Sequence, residues 1–167
     1  MGDSYREILV KREKTLMDQV KKISLIGITV LLFVSGIFVS PILIFPALIF
    51  ALICYFFLPA FDLEYEYLYV NGELDIDKIM GKQKRKKCAG YDMNLLEIMA
   101  PSGSHELDSF RNKKDLKVRD FTSRRSDVPS YTLIFNLEKG QELVKLELDE
   151  DIVGDIRRIA PRKVYRQ

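Results

Sequence analysis

The sequence predicts an α+β membrane protein. An N-terminal transmembrane helical hairpin is followed by a small antiparallel β-barrel or sandwich and a C-terminal helix. Three observations carry this reading. Residues 23–61 are 39 consecutive positions without Asp, Glu, Lys, Arg or His, and all 26 basic and 24 acidic residues of the 167-residue chain lie outside them. Beyond that block, apolar and polar residues mostly alternate, with turn signals between the runs. The last stretch changes to helical spacing. Composition excludes a disordered tail protein, a collagen-like fibre and a disulfide-rich secreted scaffold.

The chain opens with residues 1–22, expected on the cytoplasmic side. Tyr5 to Arg12 alternates as an added edge strand would, and an amphipathic helix on the lipid surface fits the same residues. The strand is favoured here, with helix resuming near Thr15.

The uncharged block, residues 23–61, is too long for one span of about 20 residues and sufficient for two short ones. Ser40-Pro41 is the natural break, because Pro has no amide donor and drives the preceding residue out of the helical region. The expected helices are Ile23 to Val39 and Ile42 to Ala60. Pro46 falls in the first turn of the second helix and Pro59 marks its end. Two other readings compete. A buried hairpin of a soluble protein needs a far shorter apolar run, and a cleaved signal peptide is opposed by four acids in the first 22 residues and by the lack of an A-x-A-like site. Lys/Arg flanks on both sides of the block place both termini in the cytoplasm, making this a multi-pass protein of the cell membrane. Cys54 then lies in the bilayer and Cys88 in a reducing compartment, so no disulfide is expected.

Residues 62–167, the expected cytoplasmic domain, carry 20 basic and 20 acidic residues. Such neutrality argues against a nucleic-acid partner. Leu63 to Val70 and Glu73 to Met80 alternate around Asn71-Gly72, the strongest short hairpin signal. Further strands are expected at Met93 to Ala100, Leu116 to Thr122, Tyr131 to Leu137 and Leu143 to Leu148, with an insert from Ser102 to Asn112. Asp149, Glu150 and Asp151 open a helix that Arg157 and Arg158 close before Pro161, a charge order suited to the helix dipole. Ile152, Val153, Ile156 and Ile159 form its apolar stripe.

Tyr67-Leu68-Tyr69-Val70-Asn71-Gly72-Glu73-Leu74-Asp75-Ile76, then Gly81, the run Lys84-Arg85-Lys86-Lys87 and Leu95 to Ile98 resemble the opening strands of bacterial pleckstrin-homology-like domains. The whole layout resembles a family of small bacterial two-span membrane proteins that carry such a domain on the cytoplasmic side. The resemblance implies a binding or scaffolding module and brings no catalytic residues with it.

Catalytic signatures are mostly absent. His105 is the one histidine and reads as a solvated loop residue. One His and two separated Cys do not make a usual zinc site, and no phosphate-binding glycine loop or nucleophile elbow occurs. Glu73, Asp75 and Asp77 share a strand face and read as its wet side rather than as cation ligands. No cofactor is expected. The most informative feature is a basic run: no acid stands between Lys78 and Tyr91, and five of the six residues from Lys82 to Lys87 are basic. A strand of eight residues leaving the membrane travels about 26 Å, and the return strand brings the chain back to the headgroups. Lys82, Lys84, Arg85, Lys86 and Lys87 are thus the candidate contacts for anionic lipid, each gaining about 1 kcal/mol near an anionic leaflet. A solvated loop is the bland alternative. A second patch comprises Arg111, Lys113, Lys114, Lys117, Arg119, Arg124 and Arg125, partly offset by Asp115 and Asp120.

The expected role is a non-enzymatic, membrane-anchored binding or scaffold module at the inner face of the cytoplasmic membrane, touching anionic lipid or a protein partner. The alternative is an accessory subunit or assembly factor of a larger membrane complex. Transport is disfavoured because no charge lies within the spans.

Overall fold

A computed structural model describes residues 5–82, 84–111, 113 and 116–165. In chain order the elements are β1 (Tyr5–Lys11), α1 (Leu16–Phe38), α2 (Ile44–Phe57), β2 (Leu63–Val70), β3 (Glu73–Met80), β4 (Lys84–Asp92) and β5 (Leu96–Pro101). Then come α3 (Asp108–Arg111), β6 (Lys117–Asp120), β7 (Tyr131–Leu137), β8 (Gly140–Leu146) and α4 (Glu150–Ile159). The chain divides into two compact units. One comprises Glu13–Glu64 and Ile79–Arg85; the other takes the described residues of Met1–Arg12, Tyr65–Lys78 and Lys86–Gln167.

The first unit is built on the helical hairpin. Asp18, in the first turn of α1, accepts hydrogen bonds from the Thr15 amide (3.3 Å) and hydroxyl (2.9 Å), which fixes the helix start seven residues before the uncharged block. Ser40 is extended before Pro41, as its place demands. One turn of 3-10 helix (Pro41–Leu43) leads into α2, and another (Leu58–Phe61) leaves it. The helices touch through small residues: Ala47 and Cys54 are buried, and a methyl on Gly36 would stand 2.7 Å from the Ile44 side chain. Thr29 donates to the Leu25 carbonyl at 2.8 Å, with Cys54 Sγ 3.3 Å from its hydroxyl. Only 6% of each apolar stretch is buried. A soluble core hairpin would bury most of it, so the chain carries two helices long and apolar enough to cross a membrane, with Phe33, Phe45 and Leu52 facing outward.

Two four-stranded sheets follow, ordered β1-β2-β3-β4 and β5-β7-β8-β6. Residues 5–11 form a strand, not an interfacial helix. Asn71 and Gly72 both take positive φ (49° and 93°), the conformation that makes Asn-Gly a hairpin signal. Gly81 and Lys82 repeat the device with φ of 58° each, joining β3 to β4. Here the structure corrects the sequence reading. The basic run is no loop but the start of a nine-residue strand, so β4 is the third strand of the domain and Met93–Leu95 is only a 3-10 turn before β5. A second correction concerns direction. β6, four residues rather than seven, lies parallel to β8 (Lys117 opposite Glu142, Asp120 opposite Lys145), whereas β7 pairs antiparallel with both β5 and β8.

In the second unit Tyr67, Tyr69, Leu74, Ile76, Met93, Leu96, Met99, Leu133 and Phe135 are fully buried. Ile134, Ile98, Ala100 and Leu143 occupy the other face of the second sheet, covered by Leu107, Phe110 and Leu116. The insert after Ser102 is thus the lid of a second apolar layer, which explains why β7 is buried on both faces; Asn112 lies outside the described residues. Asp149 caps α4 by accepting from the Ile152 amide at 2.8 Å. Ile152, Val153 and Ile156 are buried, each stabilising by about 1.5–3 kcal/mol. Ile159, expected in the same stripe, is 41% exposed because the helix ends there. The chain then returns to the second sheet, where Met99 exchanges backbone bonds with Lys163 (2.7 Å) and Tyr165 (2.8 Å).

Candidate membrane-contact site

The β3–β4 turn is fastened to the end of the second apolar helix. The Gly81 amide donates to the Asp62 carbonyl at 2.8 Å. A methyl on Gly81 would lie 2.7 Å from Pro59 Cβ, so glycine is required there by space as well as by its positive φ. Lys14 stands 3.2 Å from the Asp62 carboxylate and pairs with this acid just past the helix exit.

Lys82, Lys84, Arg85, Lys86 and Lys87 are all exposed. Lys82 sits in the turn itself. The other four run along β4, where strand alternation sends Lys84 and Lys86 to one face and Arg85 and Lys87 to the other. Lys84 stands out because its ammonium lies 5.6 Å from the centroid of the Phe56 ring, on the last turn of α2. That is cation–π range, and it holds one charge beside an aromatic ring that is 59% exposed among apolar neighbours. Lys87 is engaged differently. Its ammonium bonds Asp75 at 2.6 Å, and this hydrogen bond raises its pKa above the ordinary lysine value. The structure therefore distinguishes within the run: Lys84 and Lys86 share one face of β4, Lys82 stands in the turn, and Lys87, on the face it shares with Arg85, is locked onto the neighbouring strand.

The second basic patch is organised around Glu142. This buried carboxylate accepts from Lys117 Nζ at 2.8 Å and Tyr91 Oη at 3.0 Å, with Arg119 Nε at 3.2 Å; Arg119 also donates to the Cys88 carbonyl at 3.0 Å. Burial opposes ionisation of Glu142, but the bonds from Lys117 and Tyr91 and the charge of Arg119 outweigh it, and its pKa falls below the ordinary value. Burial, followed by the Glu142 charge, pushes the Tyr91 hydroxyl far up. Arg125 forks onto Asp127 (3.0 and 2.5 Å), Arg124 stands 3.9 Å from Asp120, and Lys113 donates to Gln141 at 3.0 Å. Lys114, Asp115 and the Arg111 side chain lie outside the described residues. Sequence reading missed this network, since Glu142 stands 25 residues from Lys117 and 51 from Tyr91 and no local pattern joins them.

The remaining candidates lie apart from both basic patches. His105 is fully exposed, with its Nδ1 3.3 Å from the Asp108 carboxylate. Among the described residues no three His, Cys, Asp or Glu side chains come together in a group that could hold a metal ion. Tyr67 is buried and donates to the Phe121 carbonyl at 2.7 Å.

Two candidate membrane helices joined to a two-sheet sandwich with a C-terminal helix define a membrane-associated pleckstrin-homology-like protein, a class that is in general non-catalytic. The chain belongs to the bacterial PH-like domain family DUF6106, whose model matches residues 2–166. No curated protein and no solved structure matches it.

Proposed function

We propose that this protein is a membrane-anchored, non-enzymatic binding module of the inner face of the cytoplasmic membrane. Residues 23–61 span the bilayer twice, residues 1–22 and 62–167 are cytoplasmic, and the basic β3–β4 turn engages anionic lipid headgroups. The observation that supports this reading is the Lys84 ammonium over Phe56, with Gly81 tied to Asp62 beside it. These contacts keep the turn next to the end of an apolar helix, where aromatic rings favour the headgroup layer. Each exposed lysine there gains about 1 kcal/mol from an anionic leaflet, and the gain is lost within a Debye length.

Hydrogen exchange on the full-length protein in nanodiscs tests the proposal. Amides of residues 80–86 are expected to exchange more slowly when neutral lipid is replaced by a neutral–anionic mixture, and high salt should reverse the effect. Replacing Lys82, Lys84, Arg85, Lys86 and Lys87 with Gln should abolish the difference. Equal exchange in both lipids at low salt would overturn the reading.

A further inference from the structure

The observation that reaches beyond lipid binding is a groove along β1, and it uses none of the residues of the basic turn. β1 is the outermost strand of its sheet, bonded to β2 on one side only in the strand order. Five of its residues, Glu7 to Lys11, line a 620 Å³ groove whose other lining comes from Ser123 to Pro129 and from Glu147 to Asp149. An outermost strand flanked by a groove is a place where a further extended chain can pair.

The chemistry of the walls says what kind of chain. An edge strand offers a row of backbone donors and acceptors that another backbone matches and a lipid headgroup does not. On β1 the side chains alternate: Glu7, Leu9 and Lys11 are exposed, while Ile8 is half-buried and Val10 is 5% exposed. The rest of the lining mixes apolar Val128, Pro129 and Leu148 with charged Arg125, Glu147 and Asp149, which are already bonded to Asp127, Ser123 and the Ile152 amide. The outward side presents an acid, an apolar residue and a base in fixed order. Opposite charges directly across a ladder favour pairing and like charges oppose it. An added antiparallel strand therefore matches β1 when it carries an acid opposite Lys11, an apolar residue opposite Leu9 and a base opposite Glu7, with apolar residues between.

We infer that this groove takes an extended segment of a partner protein as a fifth strand of the first sheet, with the pattern acid–apolar–apolar–apolar–base running antiparallel to β1. The ionic order sets the register, because a slip of two residues puts Lys11 opposite an apolar side chain, and a slip of one puts every side chain on the wrong face.

The probe is the labelled peptide Thr-Glu-Val-Leu-Val-Lys-Thr, titrated into the full-length protein in detergent and followed by anisotropy, against a control with its Glu and Lys exchanged. The first peptide is expected to bind about tenfold more tightly and to slow hydrogen exchange within β1. The double variant Glu7→Lys/Lys11→Glu, both exposed positions, should reverse the preference, and melting of the variant checks that it is folded. Equal binding of the two peptides, no binding at millimolar concentration, or protection elsewhere than β1 would overturn the inference. Because the peptide is read in detergent without anionic lipid, its failure leaves the lipid proposal standing, and failure of the lipid experiment leaves this one standing.

Discussion

The two basic patches of this protein have similar composition and opposite fates. Around Glu142, the exposed Lys117 and the half-buried Arg119 are both engaged by one buried carboxylate. At the start of β4, Lys84 and Lys86 face outward on a short strand, and Lys84 rests on an aromatic ring. The difference lies in what stands opposite. A carboxylate taken out of water must be paired, so it recruits cations from distant parts of the chain. No acid stands between Lys78 and Tyr91, so an acid that engages this run must come from another strand, as Asp75 does for Lys87. A count of basic residues is therefore no measure of binding potential; the count that matters excludes cations already spent.

The largest expected effect follows from removing the centre of the spent patch. Glu142→Gln leaves Arg119 half-buried without its counter-charge and weakens the bond to the buried Tyr91 hydroxyl. The loss should be about 2–3 kcal/mol in thermal or denaturant unfolding, while lipid-dependent exchange at the β3–β4 turn stays unchanged. The acid limb sharpens the test. Glu142 has a folded pKa below its unfolded value, so its contribution is present above the ordinary carboxylate range and is lost as pH falls through the depressed folded value. Stability of the wild type should thus drop faster than that of Glu142→Gln below pH about 4.5. Parallel acid curves would mean that this carboxylate is not held as described.

A smaller effect is expected at the turn that presents the basic run. Gly81→Ala meets a left-handed backbone and a close Pro59, and should cost about 1–2 kcal/mol. Its signature is local: exchange should quicken at residues 79–85 before the sandwich melts. Asn71→Gly in the other turn, where glycine already follows, should cost far less. If the two substitutions prove equal, the contact with Pro59 contributes nothing.

These contrasts bear on how much the sequence discloses. Asn71-Gly72 announced its hairpin because the turn's requirement is local and both residues meet it. Gly81-Lys82 makes the same turn without a signal, since lysine rarely takes positive φ and here does so under tertiary constraint. β4 was hidden by its charges: Lys-Arg-Lys-Lys resembles a solvated loop, and only its neighbour β3 makes it a strand. β6 was hidden by direction, because a parallel partner is never adjacent in sequence. The apolar hairpin was the most legible region of all, since its requirement is one of composition over many residues. The basic run could be seen in the sequence, but its division into engaged and outward-facing members could not, because Asp75 lies twelve residues from Lys87.

That division supplies the finest test, on a single charge. Lys87 and Lys84 differ by three positions, and a model based only on net charge gives them equal weight in lipid contact. The geometry does not. Lys87 is bound to Asp75, and its raised pKa keeps it charged and paired throughout the neutral range. Lys87→Gln also frees the Asp75 carboxylate, so the surface loses a cation that was not offered outward and uncovers an acid that was masked. Lys84→Gln removes a cation next to the helix end and leaves no acid behind. In nanodiscs containing anionic lipid, Lys84→Gln should therefore lower the salt concentration at which protection of the β3–β4 turn is lost. Lys87→Gln should shift it less, and what shift remains should be removed by the double change Lys87→Gln/Asp75→Asn. Equal shifts for Lys84→Gln and Lys87→Gln, undiminished in the double variant, would mean that the run acts as undifferentiated charge and that its two ends are alike after all.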